Sequence, residues 1–180
     1  MTRAERRSLN VTIRFAAALA LALVAAGAAG AQAQDAGIGI ALGATPAPAQ
    51  VEDLDGNVVD LGRFIGAKPV LIEFWATWCP VCEKLAPTLD AAFAKYGDRV
   101  EFLTIGVAVS QSPRQIRRHL ERHALPGRVL YDAKGEAVRA FRAPTTSFIV
   151  IVDGSGKVTY TGSGEDQPLD QALAKVAGAN

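Results

Sequence analysis

The chain has 180 residues, 49% of them hydrophobic and 21% charged, so it can bury one ordinary core without disulfide staples. Its 19 Lys and Arg residues nearly balance its 18 Asp and Glu residues, which gives a net charge of +1. This balance provides no basic surface for nucleic acid, and we expect no nucleic-acid partner.

The first 33 residues have the layout of a secretory signal peptide. Several arginines precede the apolar run Phe15–Ala29, and small residues follow it. We predict cleavage after Ala33, and cleavage after Ala31 fits nearly as well. An uncleaved membrane anchor is the alternative, which is disfavoured because the run is shorter than the ~20 residues that a membrane-spanning helix needs. The sequence therefore predicts a periplasmic or secreted protein that meets the membrane only if this segment stays attached.

The mature chain is predicted to form one domain. Residues 34–50 are rich in Ala, Gly and Pro and lack periodicity, so we predict a flexible lead-in. The folded domain is expected at 51–180, beginning with an amino-terminal hairpin over Val51–Leu61. Val70–Trp75 is almost entirely apolar, which is typical of a central strand covered on both faces of a sheet.

Strand and helix patterns alternate through the rest of the chain. Helical spacing predicts a helix from Val81 to Tyr96, with a kink at Pro87. Ser112 is expected to cap a helix that Pro113 opens. The predicted elements are strands at 100–109 and 129–131, helices at 113–123, 133–141 and 168–177, and hairpin strands at 147–152 and 157–161. This order predicts a three-layer α/β domain with a mixed sheet.

The only two cysteines, Cys79 and Cys82, lie between the predicted central strand and the helix that follows it. A disulfide across so short a loop stabilises a fold by roughly 2 kcal/mol at most, so a purely structural disulfide is a poor explanation for these two cysteines. Because Cys79 falls where a helix begins, unpaired backbone N–H groups favour its thiolate. We predict a thiol-disulfide exchange site in which Cys79 is the exposed attacking thiol and Cys82 is the shielded resolving thiol.

The residues beside the cysteines are expected to tune the exchange and to contact the client protein. Pro80 lacks an N–H group that could stabilise the Cys79 thiolate, and Val81 adds bulk without charge. Trp78 completes this set of predicted substrate-binding residues. None of the three fixes the direction of electron transfer.

Glu73 is a single carboxylate inside the otherwise apolar central strand. If it is buried, loss of hydration raises its pKa, and it can accept the proton of Cys82 as that sulfur becomes a nucleophile. The alternative is an edge strand with Glu73 in solvent, which the apolar character of the strand disfavours. We therefore predict a catalytic role for Glu73.

Pro144 lies just before the predicted strand at 147–152. A cis peptide bond there would turn the chain beside the cysteines and leave backbone groups for a client strand to pair with. An ordinary trans turn is the other reading, and only about 5% of X–Pro bonds in folded proteins are cis. The residues alone therefore do not establish a cis bond.

The segment Glu73–Cys82 resembles the active-site segment of thioredoxin-fold proteins, especially the exported TlpA-like and ResA-like disulfide reductases. Pro87 stands where this family kinks its active-site helix, and the resemblance extends over Pro46–Val176. The chain departs from the family pattern at three places. Val81 replaces a common proline, the loop Phe141–Ala143 before Pro144 is shorter than usual, and the strand at 100–109 has no lysine to pair with the buried acid.

The resemblance implies a thioredoxin-like fold with an amino-terminal hairpin extension and a disulfide reductase activity that needs no cofactor. It makes Pro144 a candidate cis-proline and Ala143 the residue that faces the cysteines. Cysteine-containing client proteins and a membrane thiol relay as reductant are the implied partners. Clients in cytochrome c maturation, a copper-site cysteine pair or misoxidised exported proteins are all compatible with it.

Two metal-binding functions are alternatives to the predicted thiol-disulfide exchange site. Cys79, Cys82, His119 and His123 have the composition of a zinc site, but we expect the histidines to lie across the sheet from the cysteines. We interpret the basic segment around these histidines as a solvated helix face. An exported dithiol also suits Cu(I), although a chain whose only methionine is Met1 has no Met-rich copper site. We therefore assign no metal ligand and keep a copper carrier as the alternative function.

Overall fold

The computed structural model describes residues 38–178. The predicted signal peptide at 1–33 lies outside these residues, so its cleavage and the predicted export stay predictions. Among the helices of the described chain, none has the length and apolar character needed to cross a membrane.

The described chain forms one mixed sheet of seven strands with four α-helices. The strands are β1 (Gln50–Glu52), β2 (Val58–Asp60), β3 (Val70–Trp75), β4 (Glu101–Val107), β5 (Arg128–Asp132), β6 (Phe148–Val152) and β7 (Val158–Gly162). The helices are α1 (Pro80–Tyr96), α2 (Pro113–Leu120), α3 (Glu136–Ala140) and α4 (Leu169–Ala177), and Leu61–Phe64 forms a 3₁₀ turn. The strand order is β2-β1-β5-β4-β3-β6-β7.

Strand β3, which leads to the cysteines, lies in the middle of the sheet. It pairs in parallel with β4 and antiparallel with β6 along nearly its whole length. All its residues are buried, because neighbouring strands cover both edges and apolar side chains cover both faces. The prediction of a fully buried central strand is confirmed.

Two apolar clusters cover the two faces of the sheet. One contains Ile72 and Phe74 of β3 with Ile116 of α2 and Ala137 of α3. The other contains Leu71 of β3 together with side chains of α1 and α4, namely Leu85, Leu89, Leu169 and Leu173. Alternate β3 residues therefore point to opposite layers. The predicted three-layer α/β architecture is confirmed.

The predicted elements occur with small shifts at their ends. The amino-terminal hairpin is formed by β1 and β2, and Ser112 caps α2 by accepting a hydrogen bond from the Gln115 N–H. The main difference is that α2 ends at Leu120 and not near His123, because the next residues form single turns. Helix ends commonly fray in this way.

Residues 38–49 pack on the domain, and we call this segment the strap. Ile40 is buried, and its N–H donates to the carbonyl of Phe141 at 3.0 Å. The Gly43 N–H donates to Val158 at 2.7 Å, and this strand residue donates in return to the strap. This corrects the prediction of a flexible lead-in up to residue 50. Hydrophobic periodicity could not predict this packing, because the strap is attached mainly by backbone hydrogen bonds, which leave no pattern of bulky side chains in the sequence.

Replacing Ile40 with Ala should lower the free energy of unfolding by about 3 kcal/mol, because the change leaves a cavity in the core. Leu42→Ala is the matched control, since Leu42 is 42% exposed and Ile40 only 6%. Urea unfolding of the oxidised protein measures both. Equal, small effects of the two substitutions would contradict the packing of the strap.

Candidate active site

Cys79 and Cys82 form a disulfide at the start of α1. Cys79 is the residue that caps the helix, and Pro80 opens it. The N–H of Cys82 donates to the Cys79 Sγ atom at 3.1 Å. The helix start thus directs a backbone donor and the positive end of its dipole at one of the two sulfurs. After reduction, this arrangement favours the thiolate on Cys79.

Exposure does not separate the two sulfurs. Both cysteines are 2% exposed and belong to the same apolar cluster. The prediction of an exposed Cys79 is therefore wrong for the disulfide form, because its side chain packs into the core at the helix start. The feature that distinguishes Cys79 from Cys82 is the hydrogen bond that its sulfur accepts.

The predicted client-contacting residues lie around the disulfide with different degrees of burial. Trp78 is 47% exposed, and its indole N–H donates to the carbonyl of Val109 at 2.8 Å. Pro80 is exposed, whereas Val81 is half-buried and packs against the apolar cluster that contains both cysteines. Trp78 and the exposed Val109 therefore offer an apolar surface next to the redox pair.

The segment before β6 reaches the same end of the sheet. Because β6 runs antiparallel to β3 with Phe148 opposite Phe74, the residues before β6 lie where β3 leads into the cysteine segment. Ala143 is half-buried and packs against the cluster that contains Cys79, and Pro144 is exposed. The topology therefore brings both predicted residues to the redox end of the domain.

The peptide bond before Pro144 is trans, as are all the others between residues 38 and 178. The cis bond that the family resemblance implies is therefore wrong for this structure. The chain turns instead through left-handed conformations at Arg142, with a φ of 50°, and at Ser147, with a φ of 59°. These two residues supply the change of direction that the cis bond was expected to give.

Glu73 is buried in the middle of the sheet. It lies opposite Thr104 of β4 and Ile149 of β6, and it is 1% exposed. Neither of its carboxylate oxygens has a hydrogen-bond partner in the described part of the chain. Desolvation therefore raises its pKa from 4.5 to about 8. The burial predicted for Glu73 is confirmed, and the alternative of an edge strand with Glu73 in solvent is wrong.

A cleft of about 360 Å³ runs beside Cys82, and Glu73 lines it. We call it the Glu73 cleft. Its volume exceeds that of several water molecules, since one occupies about 30 Å³ in the liquid. Its other lining residues include Trp75, Leu89, His119, His123 and Leu125. Cys82 and Glu73 therefore line the same cleft, which is large enough to hold water.

The two histidines line the Glu73 cleft, which corrects the expectation that they lie across the sheet from the cysteines. His119 is half-buried, and its ring packs edge-on against Trp75 with centroids 5.1 Å apart. Burial is the main cause that lowers its pKa, and nearby His123 adds to the effect. Within residues 38–178, no group of three or more His, Cys, Asp or Glu side chains is placed to hold a metal ion.

The structure reveals a positioning residue that the sequence analysis missed. Gln111 is buried, and its Oε1 accepts the N–H of Thr77 at 2.9 Å. Its Nε2 donates to the carbonyls of Val107 at 2.7 Å and Trp75 at 3.4 Å. The hydroxyl of Tyr131 donates to the backbone carbonyl of Gln111 at 3.2 Å. One amide side chain therefore ties the segment that enters the redox site to the loop after β4.

The sequence contained a signal for the burial of His119 but none for the burial of Gln111. Ile116, His119, Leu120 and His123 follow the spacing of one helix face, and the first of them is fully buried. That spacing could have placed His119 against the core. Gln111 is one polar residue among several after a strand, and its burial depends on tertiary contacts alone.

Comparison with known proteins agrees with this geometry. The sequence model of the family described as Redoxin matches residues 25–176. The thiol-disulfide oxidoreductase ResA of Bacillus thuringiensis subsp. konkukian is 28% identical over 129 residues, which cover 70% of this chain and 73% of that protein.

Solved structures show the same fold. The thioredoxin domain of a thiol-disulfide oxidoreductase from Bacteroides vulgatus superposes with a TM-score of 0.65 at 20% identity, covering 76% of this chain and 99% of that one. The exposed lipoprotein thioredoxin of Streptococcus pneumoniae gives a TM-score of 0.60 at 23% identity, covering 72% and 98%. The predicted thioredoxin-like fold is confirmed.

Replacing Glu73 with Gln should change how stability depends on pH. The folded chain keeps the Glu73 proton up to a pKa of about 8, whereas the unfolded chain releases it near 4.5. Between these values the folded state binds more protons, so this group makes the free energy of unfolding fall as pH rises. The wild-type slope should be more negative than that of the variant by up to about 1.4 kcal/mol per pH unit. Urea unfolding at several pH values measures it, and equal slopes would contradict a buried, protonated Glu73.

Replacing Gln111 with Ala should loosen the segment before the cysteines, because the Thr77 N–H loses its acceptor. We expect hydrogen exchange at that amide to become about tenfold faster, the equivalent of one lost hydrogen bond. Gln171→Ala is the matched control, since Gln171 is exposed on α4. Amide exchange followed by NMR measures both variants, and identical protection of Thr77 would refute the bridging role.

Proposed function

Because the chain belongs to the Redoxin family and is a ResA-like thiol-disulfide oxidoreductase, we propose that it reduces disulfide bonds in exported proteins. The observation that carries this proposal is the Cys79–Cys82 disulfide at the start of α1. The backbone N–H that points at the Cys79 sulfur supports Cys79 as the attacking group. The position of Cys82 one turn further supports its role as the resolving group.

The proposed cycle begins with both cysteines reduced. The Cys79 thiolate attacks a client disulfide, forms a mixed disulfide and releases one client thiolate. Cys82 then loses its proton and attacks the Cys79 sulfur, which expels the second client thiolate and closes the Cys79–Cys82 disulfide. The client gains two electrons and the enzyme pair loses two. A dithiol donor must then reduce the enzyme again.

Glu73 is the proposed acceptor of the Cys82 proton. Both residues line the same cleft, which has room for a bridging water. With a pKa of about 8, the Glu73 carboxyl can take up and release a proton near neutral pH. A solvated glutamate is too weak a base for this step, so the burial of Glu73 supports the proposal.

Client binding is proposed at the exposed surface around the disulfide. Trp78 supplies an aromatic face, Pro80 is exposed beside it, and Val81 forms the half-buried part of the same surface. Ala143 and Pro144 lie at the same end of the domain, and because the Ala143 N–H donates to Val138 and Pro144 has no N–H, they can offer a client only carbonyl groups. This surface favours a client that binds as an extended segment, with its cysteines between Trp78 on one side and the Ala143–Pro144 segment on the other.

The proposed site of action is the periplasm or the cell exterior. The signal-like residues 1–33 support export, and in an oxidising compartment the pair needs a dedicated reductant. A membrane thiol relay is the class of donor that can deliver electrons there. Apocytochrome c, proteins with a copper-site cysteine pair and misoxidised exported proteins are the client classes compatible with the TlpA-like and ResA-like resemblance.

The proposal has a two-part test. The reduction potential of the Cys79–Cys82 pair, measured by equilibration with glutathione and dithiothreitol buffers, should lie near or below about −220 mV, as for a reductant. In the native compartment, Cys82→Ser should accumulate mixed disulfides between Cys79 and client proteins, because the resolving thiol is absent.

Cys79→Ser is the matched control and should trap no client. A potential near about −120 mV would mark an oxidant and overturn the reductase direction. If no adducts form with Cys82→Ser and no reversible disulfide forms in the wild type, exchange chemistry is refuted. The Cu(I) carrier would then be the remaining candidate, and it would bind one metal per chain.

A further inference from the structure

The Glu73 carboxyl has no direct contact with solvent. It is 1% exposed, and neither oxygen has a hydrogen-bond partner among the described residues. Because its raised pKa keeps a proton on Glu73 at neutral pH, that proton must leave through the Glu73 cleft before the carboxylate can accept the proton of Cys82. The cycle needs a group that stands between the buried acid and the solvent.

His119 occupies that position. It lines the Glu73 cleft together with Glu73 and Cys82, and it is half-buried while the other two are buried. Its ring is fixed on two sides, edge-on against Trp75 at 5.1 Å and against His123 at 4.7 Å between centroids. His123, the second ring, is exposed. The half-buried ring of His119 therefore lines the cleft and contacts a second ring that is exposed to solvent.

We infer that His119 carries the proton between Glu73 and solvent, through water held in the Glu73 cleft. The inference rests on the proposed function, because Glu73 must first act as the acceptor for Cys82. In this inference, water fills the cleft, and His119 exchanges its proton with water or buffer in the bulk solvent.

The proton steps balance within one turnover. At pH 7 the Glu73 carboxyl holds a proton, which it first passes through water to the neutral imidazole of His119, and the imidazolium releases it to solvent or buffer. The Glu73 carboxylate then takes the proton of the Cys82 thiol, and the resulting thiolate attacks Cys79 and expels the client thiolate. Glu73 and His119 end the turnover in the forms in which they began it. Re-reduction of the disulfide uses the same steps in the opposite direction.

The charges around His119 keep it in the form that this role needs. Burial and the neighbouring His123 lower its pKa, Arg122 acts in the same direction, and Glu83 of α1 opposes them. Asp90 of α1 also lines the cleft. The net lowering leaves the imidazole neutral near pH 7, so it can accept a proton. Transfer from Glu73 is uphill, and the proton therefore stays on His119 only briefly before solvent removes it.

The test follows two thiol steps in one stopped-flow trace. The reduced protein is mixed with an aromatic disulfide whose thiolate is coloured. Attack by Cys79 releases the first coloured thiolate, and resolution by Cys82 releases the second. In His119→Gln at pH 7 and low buffer concentration, we expect an unchanged first phase and a second phase slowed about tenfold, the low end of general acid–base effects. Added imidazole should restore the second phase.

Two further variants separate the possible causes. Glu73→Gln should slow the second phase without rescue by imidazole, and adding His119→Gln to it should slow the phase no further. Arg118→Gln, an exposed change on α2, should leave both phases as in the wild type.

An unchanged second phase in His119→Gln would overturn the inference. A slowed phase that imidazole fails to restore would also overturn it, because His119 would then act only by packing against Trp75. The proposed function fails in a different way: no coloured thiolate would then appear in either phase of the wild-type trace.

Discussion

The redox site depends on one constraint, which is that a helix must begin at the end of the most buried strand. Strand β3 has hydrogen-bonded neighbours on both edges and apolar layers on both faces, so its end is fixed in position. The short segment after it can therefore place the first turn of α1 reproducibly. Gln111 reinforces that segment from the neighbouring loop. The hydrogen bond that reaches the Cys79 sulfur is a consequence of this placement.

The burial that fixes β3 also makes Glu73 destabilising, because its carboxyl loses its hydration on folding. A carboxyl in the centre of the sheet without a partner lowers the stability of the fold at neutral pH, and a leucine there would pack without that penalty. In the proposed cycle this loss of stability has a function, because the raised pKa is what lets Glu73 exchange a proton with Cys82. Stability and chemistry thus compete at this one position, and the Glu73 cleft is the space that allows the charge to change.

Much of the architecture could be predicted because local patterns and tertiary packing agree. The apolar run of β3, the Ser112 cap and the spacing of α1 each specify one structure, and the cysteine pair at the strand–helix junction identified the site. The failures have a different physical origin. Contacts between distant residues hold the strap on the domain and bury Gln111, and no local pattern encodes them. The turn at Pro144 is likewise set by two neighbouring left-handed residues and not by the proline itself.

The strap also bears on the order of folding. Its hydrogen-bond partners, Phe141 and Val158, belong to the last third of the chain, although the strap lies at the start of the domain. Contacts between such distant segments form after local ones, because the intervening loop must first be closed. The strap therefore docks late, onto a sheet that already exists. Both backbone groups of Val158, on edge strand β7, are then occupied, and this part of the edge is closed to pairing with another chain.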